Sequence, residues 1–185
     1  MIYFDNAATT RIKPKEVIDA FFKYVTEIGV SPGRGSYSLG IEASRMLYKS
    51  RMTLAEYFGI NEPNVVFTKN STEAINLFFR GYLKKGDHVV ISSYEHNAVL
   101  RPLEEMRIEG LIDYSVVDRD DLDKSTEYLL NKYIKNNTKL LAFTLASNLT
   151  GRIVFRRDLF CAASQMGIRC FVDASQGAGK IRLNM

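Results

Sequence analysis

The chain has 185 residues, of which 46% are hydrophobic and 25% charged, and it carries a formal net charge of +4. This composition is ordinary for a globular protein with a sizeable core. Lys and Arg are scattered along the chain, which argues against a nucleic-acid-binding surface. Its 2 cysteines are too few for a disulfide framework. The first ten residues do not resemble a signal peptide and no apolar run reaches membrane-spanning length, so we expect a cytoplasmic protein.

The first third of the chain predicts an extended arm and two helices. The arm covers residues 2–10, and Pro14 favours the start of a helix that Gly29 ends. A longer amphipathic helix is predicted over residues 39–58, with Gly59 as its cap. We expect the apolar faces of both helices to pack into a core. These faces consist of Val17, Ile18, Phe21, Phe22 and Val25, and of Ala43, Met46, Leu47, Leu54 and Phe58.

From residue 65 onward, strand patterns and helix patterns alternate. Such alternation predicts an α/β fold with three layers, in which a mainly parallel sheet has helices on both faces. The predicted strands cover residues 65–68, 88–92, 111–117, 140–145 and 168–172, and the predicted helices cover residues 72–83, 97–108, 123–135 and 156–166.

The sequence FVDASQGAG places a carboxylate at the end of the last predicted strand. Asp173 is that carboxylate, and Gln176 follows it by about one turn. Open α/β sheets bind ligands at the carboxyl ends of their strands. Asp173 is therefore a candidate partner for a protonated ring nitrogen. The alternative is that Asp173 only caps the turn that follows it.

The sequence TKNSTEA predicts a capped helix start after the first predicted strand. Asn70 is the expected cap, and Glu73 completes a capping box. Free N–H groups and the helix dipole make such a start an anion site, to which the hydroxyls of Ser71 and Thr72 can add donors. A phosphate fits this site, although a capped helix with no ligand gives the same pattern.

Two more polar side chains follow predicted strands at the same end of the sheet. His96 lies near a helix start, where an imidazole can stack on a flat ring, move protons or simply lie at the surface. Asn148 lies in a loop that is either part of the site or only a connection. His88, at the opposite end, is expected at the surface. Together, the predicted anion site, the His96 imidazole, the Asn148 amide and the Asp173 carboxylate match a ligand with a phosphate and a protonated aromatic ring. Pyridoxal 5′-phosphate (PLP) is such a ligand.

Six motifs occur in an order that resembles a known family. The chain is similar to the cysteine desulfurases and selenocysteine lyases, which are class V aminotransferase-type PLP enzymes with the aspartate aminotransferase fold (fold type I). The resemblance implies that residues 1–185 are part of a PLP-binding large domain, with an arm and helices over 1–60 and βα units over 65–185. It also implies the strand order 3-2-4-5-6-7-1. The motifs are YFDNAATT, SPGRG, FTKNSTEAIN, GDHVVISSYEHNAVLRP, NTKLLAFTLASNLTG and VDASQGAG.

The resemblance assigns roles to individual residues. It implies that Ser71 and Thr72 hold the cofactor phosphate and that His96 stacks on the pyridine ring as a catalytic residue. It implies that Asp173, also catalytic, pairs with the ring nitrogen. Two further pairs complete the implied site, with Asn148 and Gln176 at the ring hydroxyl and Ala8 and Thr9 near the substrate.

The resemblance also implies what the intact protein does. Members of the family that the chain resembles take sulfur from cysteine through a PLP Schiff base, pass the sulfur to an acceptor and act as homodimers. Their Schiff-base lysine lies in a Ser-x-His-Lys segment that would come after Met185, so we expect this chain to be inactive alone. Lys180 is not expected to substitute, and Cys161 and Cys170 are expected to be core residues. The alternatives are another class V aminotransferase or lyase, or an inactive truncated remnant.

Overall fold

The protein is described by a computed structural model that covers residues 2–181. These residues divide into two compact units, residues 2–67 and residues 68–181. Among the described residues, no helix has the length and apolar content needed to cross a membrane. The assignment of the whole chain to one partial large domain stays a prediction.

The first unit contains two helical segments that end at glycines, as the sequence predicts, and the first of them is an α-helix that continues into a π-helical turn. Gly29 and Gly59 adopt left-handed conformations, with φ of 55° and 67°, which glycine reaches without strain. The elements are α1 (Lys15–Lys23), a π-helical turn (Tyr24–Ile28), α2 (Ser38–Phe58) and a 3-10 turn (Glu62–Asn64).

The predicted packing of the apolar helix faces is wrong for α1. None of its residues is buried, because no described part of the chain covers this face. In α2, Ala43 is buried as expected, whereas Leu54 is exposed. The exposed fractions range from 42% to 64% for Val17, Ile18, Phe21, Phe22 and Val25.

The second unit is a parallel four-stranded sheet with flanking helices. Its strand order is β2-β1-β3-β4, which confirms the order 3-2-4-5 implied for the four predicted strands that form. The elements are α3 (Ser71–Tyr82), β1 (Asp87–Ser92), α4 (Asn97–Ile108), β2 (Ile112–Val117), α5 (Thr126–Tyr133), β3 (Thr138–Thr144), α6 (Arg157–Gln165) and β4 (Arg169–Asp173).

The predicted strand over residues 65–68 does not form. A strand requires a neighbour that pairs with its N–H and C=O groups, and no described strand pairs with this segment. Its apolar side chains are not buried either, since Val66 is 77% exposed and Phe67 is 44% exposed. Hydrophobic character alone therefore did not make this segment a strand.

The core of the second unit consists of two layers, one on each face of the sheet. Alternate residues of β1 point to opposite faces, so that Val89 and Ile91 join one layer and Val90 joins the other. Helices α3 and α4 cover the first layer, and α5 and α6 cover the second. The predicted three-layer α/β architecture is confirmed.

The prediction that His88 is a surface residue is wrong. Its side chain is 0% exposed, because β1 is an inner strand. Its Nδ1 lies 2.8 Å from Thr138 Oγ1 of β3, and its Nε2 lies 2.9 Å from Ser115 Oγ of β2. Burial, and to a lesser extent the charge of Lys135, lower the pKa of His88 below its ordinary value. His88 therefore links three strands as a neutral side chain.

Candidate functional site

The carboxyl end of the sheet brings the predicted site loops of the second unit together. Strands β1, β3 and β4 are adjacent and parallel, so the loops that follow them emerge at the same end. In the register of β3 and β4, Thr144 pairs with Asp173, and each is the last residue of its strand. This end of an open α/β sheet is the usual position of a ligand site.

Asp173 is buried at this end, with only 7% of its surface exposed. Its Oδ1 accepts hydrogen bonds from the backbone N–H of Ser175, at 3.0 Å, and from the Ser175 hydroxyl. The turn that follows packs closely against Leu145, the residue after β3, because a Cβ on Gly177 would collide with the Leu145 side chain. Asp173 thus does cap its turn, but both bonds use Oδ1, so the cap does not involve Oδ2.

The start of α3 is capped as predicted, with one difference. Asn70 Oδ1 accepts from the N–H of Glu73 at 2.9 Å, whereas Glu73 Oε2 accepts from the N–H of Lys69 rather than of Asn70, at 2.7 Å. Within the described part of the chain, the N–H groups of Ser71 and Thr72 have no hydrogen-bond acceptor. These N–H groups and the exposed hydroxyls beside them are available to an anion.

A cleft of about 270 Å³ lies between the starts of α3 and α4, and both Thr72 and His96 line it. His96 caps α4, and its Nδ1 accepts from the N–H of Ala98 at 3.1 Å. The ring faces and Nε2 are not used by this cap. Arg101 also lines the cleft, and the sequence reasoning did not single it out.

Glu95 is a second residue that the sequence reasoning missed. Its Oε1 accepts from the N–H of Thr144 at 2.7 Å and from the Ser92 hydroxyl. Its Oε2 is buried and has no hydrogen-bond partner among residues 2–181. Burial is the main reason that the pKa of Glu95 is raised to about 7, and the nearby charge of Asp173 raises it further. No sequence signal marks Glu95, because its burial depends on β3, which lies about fifty residues away.

The other predicted site residues lie in loops. Asn148 and Gln176 are half-buried in the turns after β3 and β4, at the same end of the sheet. Ala8 and Thr9 belong to the first unit, where Ala8 N–H donates to Asp5 O at 3.2 Å and Lys13 Nζ donates to Thr9 Oγ1 at 3.2 Å. The roles of these four residues toward cofactor and substrate stay predictions.

The two cysteines differ from each other. Cys161 is exposed, so its prediction as a core residue is wrong, because it lies on the outer face of α6. Cys170 is half-buried, and its Sγ lies 3.4 Å from the carbonyl oxygen of Phe160. Burial raises the pKa of the Cys170 thiol, which disfavours the thiolate that a nucleophile needs. Lys180 is exposed in the turn after β4.

The chain belongs to the aminotransferase class-V family, whose sequence model matches residues 2–185. Its curated relatives include probable cysteine desulfurases. The relative from Methanothermobacter thermautotrophicus is 31% identical over 185 residues, which are 100% of this chain and 46% of that protein. The relative from Pyrococcus abyssi is 30% identical over 188 residues, and the matched region is again 46% of its length. The chain therefore spans about half the length of the curated relatives it matches.

Solved structures show the same relationship. The apo structure of a cysteine desulfurase from Thermococcus onnurineus superposes with a TM-score of 0.87 and 32% identity, covering 99% of this chain and 46% of that one. The cysteine desulfurase CsdA from Escherichia coli has a TM-score of 0.74 and 26% identity, covering 96% of this chain and 46% of that one. The chain is thus similar in sequence and fold to about half of each of these cysteine desulfurases.

Proposed function

We propose that the carboxyl end of the sheet binds PLP, and that the protein to which this chain corresponds removes sulfur from L-cysteine. The observation that carries the proposal is the buried carboxylate of Asp173, which is the last residue of β4. A carboxylate there suits a ligand with a protonated ring nitrogen. The family membership and the cysteine desulfurase relatives support the same conclusion.

The residues of this end fit the chemical groups of PLP. The free N–H groups at the start of α3 and the hydroxyls of Ser71 and Thr72 would bind its phosphate. Asp173 would hold a proton on the ring nitrogen, and His96 would offer a ring face for stacking. When bound, PLP supplies an electron-withdrawing ring for reactions at the α-carbon of an amino acid.

The remaining assignments concern substrate and proton transfer. His96 Nδ1 is occupied by the N–H of Ala98, so Nε2 is the atom with which His96 would hold or pass a proton. Asn148 and Gln176 would reach the ring hydroxyl, and Ala8 and Thr9 would lie near the substrate. We further propose a cytoplasmic homodimer that hands sulfur to an acceptor for the intact protein.

Binding of pyridoxamine 5′-phosphate to the purified chain tests the cofactor site. This analogue has no aldehyde and cannot form Schiff bases with surface lysines, so fluorescence or calorimetry reports only the non-covalent site. Pyridoxamine, which has no phosphate, is the matched control. We expect pyridoxamine 5′-phosphate to bind at least about tenfold more tightly, as a phosphate at a helix start requires. Equal affinities, or no binding, would contradict the proposed site.

A covalent test examines the lysine. The chain is mixed with PLP itself, and the spectrum is recorded before and after borohydride reduction. We expect no specific adduct on Lys180 and no turnover of cysteine by this chain. A trapped adduct on Lys180 together with cysteine turnover would show that the chain is an active enzyme as it stands.

A further inference from the structure

The backbone pairing of β1 with β3 ends before the two strands reach the candidate site. The last residue pair of this ladder is Ile91 with Ala142. On its other side, β3 continues to pair with β4 as far as Thr144 and Asp173. The N–H of Thr144 therefore has no backbone partner in β1.

Glu95 supplies the missing acceptor. Its Oε1 accepts the Thr144 N–H at 2.7 Å and also the hydroxyl of Ser92, the last residue of β1. One carboxyl oxygen thus joins the ends of β1 and β3 where backbone pairing has stopped. From Thr144 the connection reaches Asp173, because Thr144 Oγ1 lies 3.4 Å from the Asp173 carbonyl oxygen and the next N–H, of Leu145, donates to that oxygen at 2.8 Å.

The surroundings of Glu95 favour its neutral form. Its Oε2 is buried without a partner among the described residues, and an ionised oxygen in that position would lose its hydration without compensation. The charge of Asp173 raises the pKa of Glu95, whereas the hydrogen-bond donors to Glu95, the Ser92 hydroxyl and the Thr144 N–H, are neutral. Two carboxyl groups close together in a poorly hydrated site do not both ionise readily.

We propose that Glu95 is a positioning residue of the candidate PLP site, which in its protonated form extends the β1–β3 ladder and holds the end of β3 in register with Asp173. This inference rests on the proposed function. Glu95 does not need to touch the cofactor. It sets the position of Asp173 through Thr144, and it leaves Asp173 as the group that carries the negative charge toward the ring nitrogen.

Two substitutions distinguish the role of Glu95 as a hydrogen-bond acceptor for Thr144 from the effect of a charge on its carboxyl group. Glu95→Gln keeps a carbonyl oxygen for the Thr144 N–H and stays neutral at every pH, whereas Glu95→Ala removes the acceptor. At about pH 6, where most of the wild-type Glu95 is protonated, we expect Glu95→Gln to bind pyridoxamine 5′-phosphate with the wild-type affinity. Glu95→Ala should bind it roughly tenfold more weakly.

Ser115→Ala is the matched control for a purely structural effect. It removes a hydrogen bond to His88 in the same sheet, far from the candidate site. It should lower stability but leave the affinity for pyridoxamine 5′-phosphate unchanged. Equal weakening in Ser115→Ala and Glu95→Ala, or equal weakening in Glu95→Gln and Glu95→Ala, would overturn the proposal.

The pH dependence of stability tests Glu95 without any cofactor. The pKa of Glu95 is raised from 4.5 to about 7, so the folded chain binds more protons than the unfolded chain between these values. The contribution of Glu95 to the stability of the wild-type chain is therefore complete at low pH, and it is lost as pH rises from 4.5 to about 7. Glu95→Gln has no such loss, so its free energy of unfolding should rise relative to wild type between about pH 5 and 8.

The two kinds of failure are distinguishable. A stability difference between Glu95→Gln and wild type that does not change with pH would overturn the protonated role of Glu95. Failure of the wild-type chain to bind pyridoxamine 5′-phosphate would instead overturn the proposed function. If Glu95→Ala does not fold, the pH series on Glu95→Gln still decides whether Glu95 is neutral in the folded chain.

Discussion

The two ends of the sheet in the second unit both bury polar groups, but they satisfy them differently. At the amino end, both ring nitrogens of His88 have hydroxyl partners, Thr138 and Ser115. At the carboxyl end, Glu95 Oε2 and Ser93 Oγ are buried without partners among residues 2–181. The sheet therefore has one polar cluster that is complete and one that is not.

This difference separates a structural role from a binding role. A fully satisfied buried network fixes the relative positions of the strands that contribute to it and has no capacity for a ligand. Buried polar atoms without partners are unfavourable for folding, and they are uncommon enough that each requires an explanation. At the carboxyl end, the N–H groups of Ser71 and Thr72, which have no acceptor within residues 2–181, and the buried Asp173 carboxylate offer one explanation, namely a polar ligand. Changes at the amino end should then alter stability only, and changes at the carboxyl end should alter binding.

The largest effect is expected for His88→Ala. The substitution removes a fully buried ring and leaves two hydroxyls without partners, so unfolding should become easier by about 3 kcal/mol. Urea denaturation followed by circular dichroism measures this change. Affinity for pyridoxamine 5′-phosphate, measured under conditions where the variant is folded, should stay the same. A large loss of affinity with little loss of stability would contradict the assignment of a structural role to the amino end of the sheet.

The next largest effect is expected for Ser71→Ala combined with Thr72→Val. Two hydroxyl donors to a phosphate are lost while the backbone N–H groups of α3 remain, so affinity for pyridoxamine 5′-phosphate should fall roughly thirtyfold, or about 2 kcal/mol. The affinity for pyridoxamine should not change, because it has no phosphate. Parallel losses for both compounds would mean that the phosphate lies elsewhere.

A smaller loss of affinity is expected for Asp173→Asn. Asparagine preserves the shape of the side chain and an acceptor for the Ser175 N–H, but it removes the charge that would pair with a protonated ring nitrogen. Affinity for pyridoxamine 5′-phosphate should fall roughly tenfold, or about 1.4 kcal/mol, with stability nearly unchanged. In the full-length enzyme proposed above, the same change should reduce turnover much more strongly, since Asp173 would keep the ring protonated there. Unchanged affinity and turnover would remove Asp173 from the site.

The smallest expected effect is a pH dependence at the amino end. Burial first, and Lys135 second, lower the pKa of His88 below 6.5, whereas Asp113 acts in the opposite direction. The unfolded chain therefore binds more protons than the folded chain just below this value. The contribution of His88 to stability is complete above about pH 6.5 and is lost as pH falls, by no more than about 1.4 kcal/mol per pH unit.

His88→Gln provides the control for this pH effect, because its side chain does not titrate. The difference in unfolding free energy between wild type and His88→Gln should shrink as pH is lowered from about 7.5 to 5.5. This dependence is opposite in sign to that expected for Glu95. A constant difference would mean that His88 is as easily protonated in the folded chain as in the unfolded one.

The sequence determined most of the second unit because its signals are local. The alternation of short apolar runs with amphipathic segments predicted four helices and five strands, of which four form, and Asn70 marked the start of α3 through a contact three residues away. The position of Asp173 at a strand end also followed from its immediate neighbours. Such features depend on backbone preferences and short-range hydrogen bonds, which are present in any window of the chain.

Other features were decided only by the tertiary structure, because they depend on which strands become neighbours. Residues 65–68 have strand-like composition but pair with no strand in the described part of the chain, and the apolar face of α1 has no described cover. His88 was expected at the surface, yet the inner position of β1 buries it between Thr138 and Ser115. Glu95 carries no signal in its own segment, and only the approach of Thr144 shows that its carboxyl is buried. Burial, and with it the ionisation of a carboxyl or an imidazole, is set by contacts between distant segments, which local sequence patterns do not specify.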